Sequence, residues 1–198
     1  VRIPTTTPAE TIKAMVDWFS ARGPLAAVGV ASFGPIDLDP ASPRFGHIAE
    51  TPKPHWSGTD LLGPLKEGLQ CAVGVDTDVN GAALAEHLWG AAQGHRTSLY
   101  FTIGTGVGGG AVIGGKTLQG LSHPEMGHIR LPRHRGDLEF AGTCPFHGDC
   151  LEGLASGPAI IARWGKSLSE LHADHEAHQM IAHYLAQLVV SMQAIFDP

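Results

Sequence analysis

Apolar residues recur at Ile12, Ala14, Met15, Phe19 and Ala21, the spacing of one helix face. Thr7-Pro-Ala-Glu10 just before them supplies a capping threonine, a proline suited to the first helical position and a glutamate placed to close a capping box. Gly23-Pro24 ends that element. Leu25-Ala-Ala-Val-Gly-Val-Ala31 is then a continuous apolar run of strand length, stopped at Phe33-Gly34-Pro35. A run apolar on both faces belongs in a sheet covered on both sides. A Pro-rich loop over residues 40–57 ends in Thr51-Pro-Lys-Pro-His-Trp56. Thr59 is placed to cap a helix over 60–69, and Val73-Gly-Val-Asp76 reads as another buried strand, with Cys71 beside it as a small core residue.

The same alternation continues downstream. A helix is expected over 81–92, with Trp89 in the core, then a strand over 98–103, a glycine cluster and a strand over 111–113. Gly114-Gly115 turns the chain into Lys116-Thr-Leu118, extending a hairpin. Residues 121–152 read as a long irregular segment carrying His, Cys and Gly, and two helices follow, over 157–165 and 175–196. Strands alternating with helices indicate an α/β fold with at least part of the sheet parallel. No fixed-period repeat or low-complexity tract interrupts the pattern.

Composition narrows the class of partner. The 198 residues carry 13 Lys+Arg against 19 Asp+Glu, a net charge of −6 with His neutral. That balance argues against nucleic-acid binding, which needs a basic face to displace counterions from phosphate. Residues 181–196, the longest apolar stretch, are broken by His, Tyr, Gln and Ser, so no membrane span is expected. Gly 26 and Pro 14 make up about a fifth of the chain, against roughly 12% in ordinary usage. Three cysteines make a poor disulfide framework; with no signal peptide at its start, the chain is expected in the reducing cytoplasm.

Three motifs carry chemistry. Gly104-Thr-Gly-Val-Gly-Gly-Gly110 fits the dinucleotide fingerprint, but the residues after it read as a return strand rather than a helix. What remains is a glycine-rich hairpin whose bare backbone can approach phosphate oxygens and donate N–H groups; the bland alternative is a glycine-rich turn with no ligand. Asp76-Thr-Asp-Val-Asn-Gly81 lies where a strand passes into a helix. Asp78 and Asn80 could there both reach a polyol, or one of them could simply cap the helix. Cys144-x-x-His147-x-x-Cys150 has the soft ligands and spacing of a tetrahedral zinc site. Pro145 and Gly148 supply the turns of a chelate loop, and His123, His128 and His134 are the candidates for a fourth ligand. His172, His175 and His178 read as a solvated helix start.

These motifs, in this order, resemble the ROK family (repressors, open reading frames and sugar kinases) of the hexokinase/actin-like ATPase superfamily, and most nearly its bacterial fructokinase branch. The likeness is carried by Asp76-Thr-Asp-Val-Asn-Gly-Ala-Ala-Leu-Ala-Glu86, the glycine cluster 104–110, and His123-Pro-Glu-Met-Gly-His128. It continues through Thr143-Cys-Pro-Phe-His-Gly-Asp-Cys-Leu-Glu-Gly-Leu-Ala-Ser-Gly-Pro158 and includes Thr51-Pro-Lys-Pro-His-Trp56. His147 stands where the commoner family zinc motif has a cysteine, as in the fructokinase branch.

The resemblance implies an α/β, ribonuclease H-like fold of two lobes, the N-terminal one over 1–73 and the C-terminal one over 74–198 with a zinc loop at 121–152. It implies ATP-dependent phosphorylation of a hexose, most readily fructose to fructose 6-phosphate, with Asp78 as the base. A carboxylate with a reference pKa of about 4 is ionised at pH 7 and can take the hydroxyl proton. Asn80, Glu125, His128, Gly34 and Pro35 match sugar-site positions, and Gly104, Thr105, Gly106, Gly108 and Gly109 match the loop that cradles ATP phosphates. His128, with Cys144, His147 and Cys150, matches the ligands of a structural Zn²⁺, and Mg²⁺ is expected on the ATP oxygens.

The D-x-G-G-T phosphate loop and the adenosine-covering segment of family kinases are missing from the chain, so it reads as incomplete at both ends, with little activity expected of it alone. The family also implies a homodimer. Two other classes compete. A non-catalytic ROK-type sugar sensor would have no use for Asp78, and a zinc hydrolase needs an open metal position that a fourth protein ligand would close.

Overall fold

The computed structural model describes every residue except Leu121, where the expected irregular segment begins and which lies outside the described residues. The chain is mixed α/β and separates into two compact units: Val1–Gly81 with Gln119–His123, and Ala82–Leu118 with Pro124–Pro198.

In the first unit, α1 (Pro8–Ser20) starts as its sequence dictates: the Thr7 side chain accepts the Glu10 N–H and Pro8 stands in the first turn. β1 (Ala27–Ser32) pairs in parallel with β2 (Ala72–Thr77), Val28 opposite Val73 and Val30 opposite Val75. α2 (Leu62–Leu69) precedes β2 and ends at Gln70 in the left-handed region. Its cap differs from the expected Thr59, because Asp60 Oδ1 accepts the Gly63 N–H at 2.8 Å.

Ile12, Val28, Ile36, Ile48, Trp56, Leu62, Leu65 and Val73 pack into the core of this unit. Trp56 is anchored there by its indole N–H, which donates to the Thr6 carbonyl at 2.9 Å. Cys71 packs half-buried against this cluster. The expectation of strands covered on both faces is not met. Val28, Ser32, Val73 and Thr77 are buried, while Ala27, Gly29, Ala31, Ala72 and Gly74 on the alternate face are exposed. Alanine and glycine count as apolar in a sequence run, yet they present little surface that needs cover.

α3 (Asp78–Trp89) begins directly at the end of β2, earlier than the Gly81 start expected from sequence. Thr77 provides the reason: its Oγ1 accepts the Asn80 N–H at 3.2 Å and caps the helix. The division between the units falls inside this helix, later than the boundary expected after residue 73, because β2 is hydrogen-bonded to β1 and stays with it. Trp89 is 78% exposed at the end of α3, against its expected place in the core.

The second unit contains the expected hairpin, β3 (Thr97–Ile103) antiparallel to β4 (Val107–Ile113), with β5 (Lys116–Thr117) on the far side of β4. Gly114 and Gly115 turn between β4 and β5 with φ of +57° and +80°, a backbone that favours glycine. β4 takes in Gly108, Gly109 and Gly110, which sequence placed before the strand. Short 3₁₀ turns at Met126–His128 and Arg135–Asp137 shape the long segment that follows.

Helices α4 (Leu151–Ala155), α5 (Gly157–Trp164) and α6 (Glu176–Phe196) close the unit; α4 was not expected. Their buried residues Leu151, Leu154, Ile160, Ile181, Tyr184 and Leu188 meet Val107, Ala111 and Met126 in one core. Among the described residues, no helix is long and apolar enough to cross a membrane.

Candidate functional site

The second unit gathers the metal-type side chains. One ligand atom each from His128, Cys144, His147 and Cys150 lies within 4.8 Å of the others. His128 Nδ1 is 3.4 Å from Cys150 Sγ and 3.7 Å from Cys144 Sγ, and His147 Nδ1 is 3.7 Å from Cys144 Sγ. Ligands at Zn–N of about 2.0 Å and Zn–S of about 2.3 Å on a tetrahedron stand roughly 3.3–3.8 Å apart, so these separations suit such an ion. Of the alternatives open in the sequence, His134 is engaged elsewhere. Its Nδ1 accepts the Gly136 N–H and its ring meets that of His183.

The loop is built for this closure. Cys144 and Gly148 exchange backbone hydrogen bonds at 3.2 and 2.9 Å, throwing Pro145, Phe146 and His147 into a tight tip. Gly148 takes φ +62°, and a Cβ on Gly142 would lie 2.1 Å from the Gly148 carbonyl oxygen. Both cysteines are buried, His128 is half-buried and His147 is exposed. Burial, together with the adjacent Cys144 thiol, pushes the Cys150 thiol up to about 11. A metal ion would reverse that preference, because it binds the thiolate.

Glu125 and His128 sit on the 3₁₀ turn before this loop, with Glu125 Oε2 3.9 Å from His128 Nε2. The ring of His128 thus turns one nitrogen to the cysteines and the other toward Glu125. Gly127 between them leaves no room for a side chain, since a Cβ there would lie 1.7 Å from the Val107 carbonyl oxygen on β4. This close approach binds the Glu125–His128 turn to the glycine-bearing strand.

The glycine cluster divides in two. Gly104, Thr105 and Gly106 form the turn between β3 and β4, with Gly104 and Thr105 exposed. Gly108 and Gly109 lie in β4 opposite Thr102 and Phe101. A Cβ on Gly109 would come within 2.8 Å of Phe101 Cε1 and Met126 Cβ, so packing alone explains that glycine. Two contacts that sequence reasoning did not anticipate tie down the turn. Glu152 Oε2 accepts the Val107 N–H at 2.9 Å, and the Gly157 N–H donates to the Gly104 carbonyl at 2.7 Å. The signal for Glu152 was its place two residues after the Cys150 ligand position; the helix that presents it was the missing element.

In the first unit, Asp78 and Asn80 occupy the first turn of α3. Asp78 is exposed, with Oδ1 accepting the Val79 N–H at 2.9 Å. Asn80 is buried and donates through Nδ2 to Asp76 Oδ1 at 2.8 Å. Thr77 provides the cap of the helix, while one Asp78 oxygen also takes a first-turn N–H. Gly34 and Pro35 form the bend after β1; the Pro35 carbonyl accepts from Ala49 at 2.8 Å, and a Cβ on Gly34 would press on the His123 ring at 3.3 Å.

The first unit thus carries polar residues at a strand end, the second a glycine turn and a His/Cys cluster, and comparison with known proteins gives the chain a family. The ROK family model matches residues 1–198, and the chain belongs to the ROK family. It is 53% identical to a fructokinase of Zymomonas mobilis over all of this chain and 68% of that protein. It is 47% identical to a putative fructokinase of Bacillus subtilis over all of this chain and 66% of that protein. Among solved structures, the ROK hexokinase of Thermus thermophilus matches with a TM-score of 0.77 and 29% identity, over all of this chain and 70% of that one. The chain thus spans about two thirds of these relatives and stands among the sugar kinases of the family, with their actin-like ATPase fold.

Proposed function

We propose that the protein carrying this chain phosphorylates a hexose from ATP, with fructose as the preferred acceptor. The observation that carries this reading is the 53% identity to a fructokinase across the whole chain. In this reading Asp78 is the base. The sugar hydroxyl oxygen attacks the γ-phosphorus, the bond to the β-phosphate oxygen breaks, ADP leaves, and the hydroxyl proton passes to the Asp78 carboxylate. Its exposed position at the first turn of α3 supports the role.

Asn80, Glu125 and His128 serve as hydroxyl ligands, and Gly34 and Pro35 are further sugar-site positions. Asn80 is pre-oriented by Asp76, and the 3.9 Å approach of Glu125 to Nε2 orients His128. The Gly104–Gly106 turn receives phosphate oxygens, while Gly109 lets β4 pack closely against Phe101 and Met126. Mg²⁺ accompanies ATP and neutralises charge on its oxygens.

His128, Cys144, His147 and Cys150 hold a zinc ion. Four protein ligands close its coordination, so it shapes the loop and does not activate water. Steady-state turnover with ATP and fructose, glucose or mannose tests the activity, with zinc measured on the same sample. Fructose should give the highest kcat/KM, and Asp78→Asn should lower kcat by about 10²-fold or more. Parent-like turnover in Asp78→Asn would remove the base assignment, and equal kcat/KM on all three sugars would remove the fructose assignment.

A further inference from the structure

A second polar constellation lies against the metal-type cluster and is absorbed by none of the roles above. Asp149 stands between His147 and Cys150, and two arginines share its carboxylate. Arg130 Nη1 donates to Oδ1, and Arg133 Nη1 donates to Oδ2 at 3.2 Å. Arg130 also donates through Nη2 to the carbonyl of His147 itself, at 3.1 Å. Arg133 Nη2 reaches the carbonyls of Asp137 and Phe140, the latter at 2.6 Å.

The series ends on the helices. Asp137, buried, accepts Arg163 Nε at 2.8 Å, Arg163 Nη2 at 2.7 Å and the Tyr184 hydroxyl at 2.6 Å. Arg163 Nη1 then donates to the Leu154 and Ala159 carbonyls at 2.8 and 3.1 Å. An unbroken chain of charge-assisted hydrogen bonds therefore runs from α5 and α6 to the backbone of the ligand loop.

A lone surface ion pair contributes about 0–1 kcal/mol and would leave such a loop free to move. This arrangement differs in two respects: it is anchored on the buried Asp137 carboxylate, which accepts three hydrogen bonds, and one of its donors is bonded to a ligand residue's own carbonyl. We propose that Asp149, held by Arg130 and Arg133, is a positioning residue for the metal centre. It fixes the 144–150 loop in ligating shape, so that the ion enters a preformed site. The proposal rests on the zinc reading given above. Partners behind metal ligands are typically worth 10- to 100-fold in metal affinity.

Zinc alone is the probe, with affinity and release rate followed by competition against a chromogenic chelator. The parent should bind one zinc per chain. Asp149→Ala and the double variant Arg130→Ala/Arg133→Ala should bind roughly 10-fold more weakly or worse, and release the ion faster. Asp149→Asn should fall between them and the parent, because it keeps an acceptor oxygen but loses the charge. Lys13→Ala, which removes the exposed pair to Asp17 in the other unit, should leave zinc binding unchanged. Circular dichroism of the metal-free variants reports folding. Should Asp149→Ala fail to fold, Arg130→Ala alone, at a side chain 66% exposed, decides the matter. A parent that binds zinc while the folded variants stay within twofold of it overturns the positioning role and leaves the zinc reading standing. A parent that binds none overturns both.

Discussion

Replacing Asp137 by alanine should be among the most damaging single changes in the second unit. Its carboxylate is buried and receives two hydrogen bonds from Arg163 and one from Tyr184. Arg163 is itself buried, so truncating Asp137 strands a guanidinium beneath the surface. Breaking a buried pair from one side costs about 3–5 kcal/mol, and for a chain of this size each kcal/mol shifts Tm by about 2–4 °C. The expected fall in Tm is therefore about 6–20 °C. Tyr184→Phe removes the hydroxyl's bond to this charged acceptor, about 1.5–3 kcal/mol, and its acceptance of the His134 N–H at 3.2 Å, but it strands no charge and should fall short of that.

The pH dependence has a fixed sign. Burial pushes the Asp137 carboxyl up, but the hydrogen bonds from Arg163 and Tyr184 and the charges of Arg163 and Arg133 outweigh it and hold it below the usual carboxylate range. A depressed folded value means its contribution is whole above about pH 4, the ordinary value, and is lost as pH falls through the folded one. Thermal unfolding of parent and Asp137→Ala, followed by circular dichroism, should show a constant gap from pH 7 to 5 that narrows below about pH 4. A gap under about 3 °C at pH 7, a gap that widens in acid, or a larger loss in Tyr184→Phe would refute this account.

Three further outcomes follow from the packing and the metal cluster. Gly127→Ala should unfold or severely destabilise the second unit, since its Cβ would meet the Val107 carbonyl at 1.7 Å; limited proteolysis would show new cleavage around residues 120–130. Trp56→Ala should cost about 3–5 kcal/mol, whereas Trp89→Ala should change stability by less than about 0.5 kcal/mol; urea melts of the two variants read the contrast directly. Cys144→Ser should lower bound zinc well below one per chain in elemental analysis after dialysis, and parent-like zinc content in that variant would exclude Cys144 as a ligand.

The elements written in local chemistry were legible in the sequence. Thr7 and Pro8 announced α1, the paired glycines at 114 and 115 announced a turn that needs positive φ, and the run after Gly104 was correctly read as a return strand. The cysteine and histidine spacing likewise pointed to residues that fold into one cluster. Choosing His128 among three histidines needed more than spacing, because the hydrogen bond that occupies His134 exists only after folding.

What escaped the sequence was decided by partners distant along the chain or by competition between adjacent caps. Thr77, Asp78 and Asn80 are all good capping residues, and which of them caps α3 depends on where β2 stops pairing with β1. Trp89 looked apolar enough for a core, yet it lies where α3 runs out beyond the packed surface. The glycines illustrate the same division. Glycines within one motif can serve different ends. Here Gly109 is required by Phe101 and Met126, and Gly127, outside the pattern, is required by Val107. Both pull the Glu125–His128 turn onto β4, and Glu152 and Gly157 hold the Gly104–Gly106 turn to the helices behind it. Within the second unit the candidate phosphate turn and the metal-type loop are therefore joined through α4, whose first residue follows Cys150 and whose second bonds the turn. On the proposed reading, a loop without its zinc would loosen the element that carries Glu152, so an ion that does no chemistry would still bear on phosphate binding.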